Sequence, residues 1–119
     1  MSEKVFDIQE RTFNYSVSII KYIDGLKLKP VYQPLIGQVF RSATSVGANV
    51  VEGQHSHSKR EMIRYYRISL KSGNETRYWL RLLNVAFNEK EQTEKLIEEI
   101  NEITKILAAI IIKLSKKEG

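Results

Sequence analysis

Four cations, Arg60, Arg64, Arg67 and Lys71, follow one another at steps of four, three and four residues. At 100° per residue such steps stack side chains along one line of a helix, and a line of guanidinium groups on a rigid rod suits phosphates. Arginine pairs with phosphate bidentately and releases counterions as it does so. Tyr78 continues the same line and Arg81 lies beside it, which gives two planar groups on which unpaired bases could stack. The excess of charge is local: residues 58–88 hold seven Lys or Arg against two Asp or Glu. The same stripe also fits a merely solvated helix face, or one neutralised by Glu94, Glu98, Glu99 and Glu102 further along the chain.

Other chemistry finds less support. Glu52-Gly53-Gln54-His55 has the Glu-x-x-His spacing of di-iron bundles, with His57 nearby, but a bridged metal pair needs a second such motif and two more inward glutamates. Only one copy is present, and Gly53 favours a helix end that would leave both histidines in a loop. Nucleophile triads, phosphate-binding glycine loops and zinc spacings are all missing, so neither a catalytic site nor a metal or other cofactor is expected. Zero cysteines exclude disulfides and thiolate sites and fit a reducing, cytoplasmic setting.

A chain of 119 residues, 42% hydrophobic and 28% charged, is long enough for one core, and a single domain spanning 1–119 is expected. Net charge is +5 with a pI near 9.5, which suggests an anionic partner. No apolar run reaches the ~18 residues of a membrane span, and MSEKVFDIQE is too acidic and polar for a signal peptide, so no membrane role is expected. The sequons at Asn14 and Asn74 are then fortuitous.

Four helices must position these groups. Val5, Ile8, Thr12, Ile19, Ile23 and Leu26 share one side of a helix from about Lys4 to Leu26, ending near Gly25. Lys29-Pro30-Val31-Tyr32-Gln33-Pro34 reads as a loop, because each proline biases its predecessor away from the helical region. A second helix runs from Leu35 to about Glu52 with Val39, Ala43, Val46 and Val50 inward. After Gly53, Ser58-Lys59-Arg60-Glu61 is a capping box that opens a third helix extending to about Phe87. Asn88-Glu89-Lys90-Glu91 is a turn, and a fourth helix, about Glu91 to Ser115, repeats Leu96, Ile100, Ile103, Leu107, Ile110 and Leu114 as a heptad seam. Short links make an all-α, up-down-up-down four-helix bundle the expected fold.

The third helix has more apolar circumference than one seam needs. Met62, Tyr66 and Leu70 are the surplus and are expected to meet another subunit, the alternative being that they pack inside the same chain. Ile97, Ala108, Ile111 and Ile112 form a similar excess on the fourth helix.

The stretch from Gln38 to Leu83, including Arg41-Ser42-Ala43-Thr44-Ser45-Val46-Gly47-Ala48-Asn49-Val50-Val51-Glu52-Gly53, Ser58-Lys59 and Ser72-Gly73-Asn74-Glu75-Thr76-Arg77-Tyr78-Trp79, resembles a known family. It looks like the four-helix-bundle proteins encoded within intervening sequences of bacterial 23S ribosomal RNA, sometimes catalogued as ribosomal proteins. That family is similar in turn to the accessory variability proteins of diversity-generating retroelements, homopentameric barrels that bind RNA and a reverse transcriptase. The resemblance implies RNA as ligand, a ring-like homopentamer, and possible docking to a reverse transcriptase or other polymerase as an adaptor. A third reading left open by the sequence is a passenger protein of its gene location with little selected activity.

Arg41, Ser42, Ser45, Asn49, Glu52, Gly53, Ser72, Glu75 and Trp79 match the family pattern, and their physical reading is mainly structural. Glu52 and Glu75 are expected near inner faces, paired with Arg41 or Arg77 and hydrogen-bonded by Asn49. Ser69 departs from the alanine common in the family, and His55-Ser56-His57 is a variable stretch.

Overall fold

Apolar residues recurring every three or four positions, with only two prolines in the chain, leave helices as the economical way to bury the core. In the computed structural model the chain forms α1 (Ser2–Asp24), a 3-10 turn (Pro30–Tyr32), α2 (Gln33–Gln54), α3 (Lys59–Phe87) and α4 (Lys90–Glu118). The structure describes the backbone of residues 2–88 and 90–118, and the side chains of residues 8–88 and 90–116. Val5, expected on the inner side of α1, and Glu89, expected in the last turn, lie outside the described side chains.

The helices form a rod of 49 × 21 × 20 Å in which each packs on its neighbours in sequence and α1 closes the square against α4. α1 and α3 therefore lie diagonally opposite. Val39, Ala43, Val46 and Val50 of α2 are fully buried, as are Ile100, Ile103 and Leu107 of the α4 seam. On α1, Ile8, Thr12 and Ile19 are buried as the spacing predicts, and so are Tyr15 and Tyr22, which the sequence reading left out. The Tyr15 hydroxyl donates to the Leu96 carbonyl of α4 at 2.8 Å, which lets the polar end of a core tyrosine reach a partner.

Local signals explain the boundaries. Lys29 is extended ahead of Pro30, but Gln33 is helical although Pro34 follows. Pro34 sits in the first turn of α2, where its missing N–H would have had no acceptor in any case. The Ser58 hydroxyl accepts from the Glu61 amide at 3.0 Å, which forms the expected N-cap of α3. Asn88 closes α3 in the left-handed region, φ 56°, a conformation that asparagine tolerates better than most residues.

The expected subunit contact at Tyr66 is overturned. Tyr66 is 0% exposed within its own chain, seated over Gly53, and Met62 and Leu70 are half-buried against the same core. The surplus arc of α3 is absorbed because Gly53 carries no side chain: a Cβ there would lie 2.7 Å from the Tyr66 ring. Gly53 thus lies inside α2 as a contact point, and the helix runs on to Gln54 before His55 and His57.

Candidate nucleic-acid interface

α3 carries the cations because its inner face is fully committed elsewhere. Ile63, Tyr66, Ser69, Ser72, Gly73, Thr76, Leu80 and Leu83 are buried, and the opposite line holds Arg60, Arg64, Arg67 and Lys71. All four are exposed, and among the described residues none forms an ion pair. Two of the acidic residues that were candidates to neutralise them are occupied otherwise. Glu99 receives two bonds from Arg11 of α1, at 2.7 and 3.0 Å, and Glu102 faces Lys105 on its own helix at 3.9 Å. Arg64 lies over the Tyr65 ring, 4.5 Å from its centroid, which limits how far that guanidinium can wander. An open depression of about 810 Å³ runs along the four cations and reaches Ile63, Ile68 and Ser115.

Tyr78 continues the line, 57% exposed, with its ring edge-on to Trp79 at 5.0 Å and 73°. Arg81 is exposed beside it. Trp79 itself is half-buried against the core, so it anchors the Tyr78 ring from below. All six residues proposed from sequence as the nucleic-acid site are therefore on one helix and open to solvent.

The family-pattern residues form a different structure. The Thr76 hydroxyl donates to the Ser72 carbonyl at 2.8 Å and pairs with the Ser42 hydroxyl at 2.9 Å. The Ser45 and Ser72 hydroxyls are 2.9 Å apart, and Asn49 donates to both the carbonyl and the hydroxyl of Ser45 at 2.9 Å. Ser69 reaches across to the Val46 carbonyl at 2.7 Å. These bonds zip α2 to α3 with short side chains, which permits close approach and leaves few buried polar atoms unpaired.

Two expectations about charge are corrected. Glu52 and Glu75 are both exposed and lie on the flanks of their helices, so neither needs a buried partner, and Asn49 serves Ser45 instead. Arg41 is exposed with its guanidinium against Gly37. Arg77 turns toward α4, donating to Asn101 Oδ1 at 2.5 Å and Thr104 Oγ1 at 2.9 Å, and along α3 to Asn74 Oδ1 at 3.0 Å. Its three acceptors are neutral.

Surface apolar groups that the sequence reading did not single out gather elsewhere. Phe13 and Ile20 of α1 and Phe40 and Val51 of α2 are all exposed on the outer side of the α1–α2 pair, beside a groove of about 320 Å³ lined by Gln9, Phe13, Gly47, Ala48 and Val51. Spacing signalled helices there but could not show which flank remained uncovered. Among the described residues no three His, Cys, Asp or Glu side chains converge on a possible metal position, and no helix is long and apolar enough to cross a membrane.

Comparison with known proteins bears on this arrangement. No curated protein matches the chain. A crystal structure of a protein of unknown function from the S23 ribosomal protein family of Bacteroides thetaiotaomicron superposes with a TM-score of 0.80 at 32% identity, covering 91% of this chain and 97% of that one. The profile of the 23S rRNA-intervening sequence proteins matches residues 4–109, the whole bundle apart from its two ends. A four-helix bundle zipped through the α2–α3 serines, matched over most of its length in sequence and in shape, belongs to the 23S rRNA-intervening sequence protein family.

Proposed function

We propose that this chain is a non-enzymatic, oligomeric RNA-binding protein whose Arg60, Arg64, Arg67 and Lys71 contact phosphates. The observation that carries the reading is that these four cations stand exposed and unneutralised along one rigid helix. Four side chains on one rod hold their charges in register along a polyanion, and each phosphate they neutralise releases counterions. The family's association with ribosomal RNA inserts makes RNA the natural polyanion.

Assembly into a homo-oligomer is supported by the apolar α1–α2 face rather than by Tyr66. Phe13 is 65% exposed and Phe40 45%, a cost that a single copy has no reason to bear and that a neighbouring copy would relieve. Five copies are the assembly implied by the retroelement resemblance. Because α3 is diagonal to α1, such contacts would leave the cationic line outside.

A second reading, docking of a protein such as a polymerase, is favoured by a groove of about 450 Å³ between α3 and α4. Leu70, Ala108, Ile111 and Ile112 line it, and Arg67 and Lys71 stand at its rim.

Anisotropy of a labelled RNA across a salt series separates the two readings. The RNA reading expects affinity to fall steeply with salt and to vanish in Arg64→Glu/Arg67→Glu with the oligomer unchanged. A flat salt response excludes it. The adaptor reading expects Ile112→Asp to remove a protein partner while RNA affinity persists.

A further inference from the structure

The outer line of α3 does not end where its charge ends. Beyond Lys71 it passes Asn74 and then Tyr78, Leu82 and Val85, which are 57%, 39% and 84% exposed. Steps of four, three, four, seven, four and three residues carry the line from Arg60 through Arg64, Arg67, Lys71, Tyr78 and Leu82 to Val85, so cations and apolar side chains occupy one continuous strip. At 1.5 Å per residue its cationic half spans about 16 Å and the whole strip about 37 Å. The two halves have opposite chemistries: one suits phosphate oxygens, and the other has no ionic group on the line and presents an aromatic face flanked by two aliphatic ones.

We propose that this strip selects single-stranded over duplex RNA. The inference rests on the RNA reading above and deepens it. A duplex offers a straight helix little but phosphates and sugars, because its base faces are stacked inside, so Tyr78, Leu82 and Val85 would meet only polar groups. A single strand carries both chemistries at once, its phosphates along one edge and its unpaired bases along the other. Its phosphates lie on Arg60 to Lys71 while its next unpaired bases cover Tyr78 and the aliphatic groups beyond it. Trp79 holds the Tyr78 ring edge-on, so that ring is positioned before any base arrives. Arg81, exposed beside the line, adds a planar cation on which a base can also stack.

The test uses the intact protein and three fluorescein-labelled RNAs: a 12-nucleotide single strand, a 12-base-pair duplex, and the same duplex with a single-stranded extension, all at one fixed salt concentration. The single strand and the extended duplex are expected to bind at least about tenfold more tightly than the blunt duplex. Tyr78→Ala should cost the single strand about tenfold, the usual range for one base–aromatic stack, and should leave the duplex within twofold. Tyr78→Phe should restore the single-strand affinity. Equal affinity for single strand and duplex, with Tyr78→Ala equally harmless to both, overturns the strand preference while leaving phosphate binding intact if Arg64→Glu/Arg67→Glu still abolishes it. Failure of all three RNAs to bind overturns the RNA reading itself. If Leu82→Asp/Val85→Asp changes the oligomer without changing single-strand affinity, the apolar half belongs to contacts between copies and the inference is likewise overturned.

Discussion

Gly53 of α2 and Tyr66 of α3 fit together through a missing side chain: a Cβ on the glycine would stand 2.7 Å from Cε1 and 2.8 Å from Cδ1 of the tyrosine. The ring is fully buried and has no flexible tail that could yield. Gly53→Ala is therefore expected to destabilise the bundle by about 1–3 kcal/mol through overpacking, although alanine is the better helix former by about 1 kcal/mol. Gly37→Ala is the control, since its Cβ would meet only the mobile Arg41 guanidinium at 3.4 Å. Urea unfolding of the two variants should move in opposite directions.

The α2–α3 zipper makes a graded prediction. Thr76→Val removes a buried hydroxyl that serves Ser42 and the Ser72 carbonyl, and should cost about 1 kcal/mol. Ser69→Ala should cost no more than about 1 kcal/mol, because the Val46 carbonyl lies mid-helix and keeps its main-chain partner. The order of the two midpoints in denaturant checks this.

Alkaline pH should weaken the fold through its buried phenols. Burial pushes the Tyr15 hydroxyl well above its ordinary value of 10.0, and the neighbouring Glu99 carboxylate adds to the shift against a smaller opposing influence from Arg77. Tyr66 is raised in the same direction by burial, with Gln54 opposing. An acid whose folded pKa lies above its unfolded one holds its proton longer in the native state. Stability is then level below about pH 10 and falls as pH climbs beyond it, because only the unfolded chain has released the proton. Tyr15→Phe should flatten this decline, as measured by urea midpoints between pH 8 and 11.

Four phosphates neutralised on a single strand predict a plot of log affinity against log salt with a slope of about −3. Replacing Lys71 by Gln should reduce that slope by somewhat less than one without abolishing binding, whereas Tyr78→Ala should lower affinity and leave the slope unchanged. Anisotropy between 50 and 500 mM salt distinguishes the two.

Phe13→Glu/Phe40→Glu should convert the oligomer to a folded single chain. Both side chains are exposed, so the core stays intact while the apolar face acquires charge. Light scattering coupled to gel filtration reads the mass, and circular dichroism confirms the helices. A fully folded variant of unchanged oligomeric mass would remove this face from consideration.

Much of the bundle could be read from spacing because helix periodicity is a local property. The α4 heptads, the α2 valines and the Ser58 cap all depend on neighbours within one or two turns, and each was found where the sequence places it. The exposed line of cations follows from the same logic: once an inner face is known, its opposite is known. What escaped depended on pairs far apart in the chain. Tyr66 looked like surplus apolar surface because nothing near it reveals that Gly53, on another helix, leaves room for its ring. Glu52 and Glu75 sit only a fraction of a turn from buried positions, and pattern alone could not decide which way they face. Phe13 and Phe40 escaped for a related reason, since falling outside the inward positions does not show whether another part of the chain covers them.

Arg77 has a further bearing on the electric field around the bundle. Asn101, Thr104 and Asn74 fix its guanidinium by dipoles alone, so its full positive charge survives within the wall of the bundle. Its guanidinium therefore adds to the long-range field around the bundle without standing on the outer strip, so it could draw a polyanion closer but not hold it once the strip's own cations are reversed.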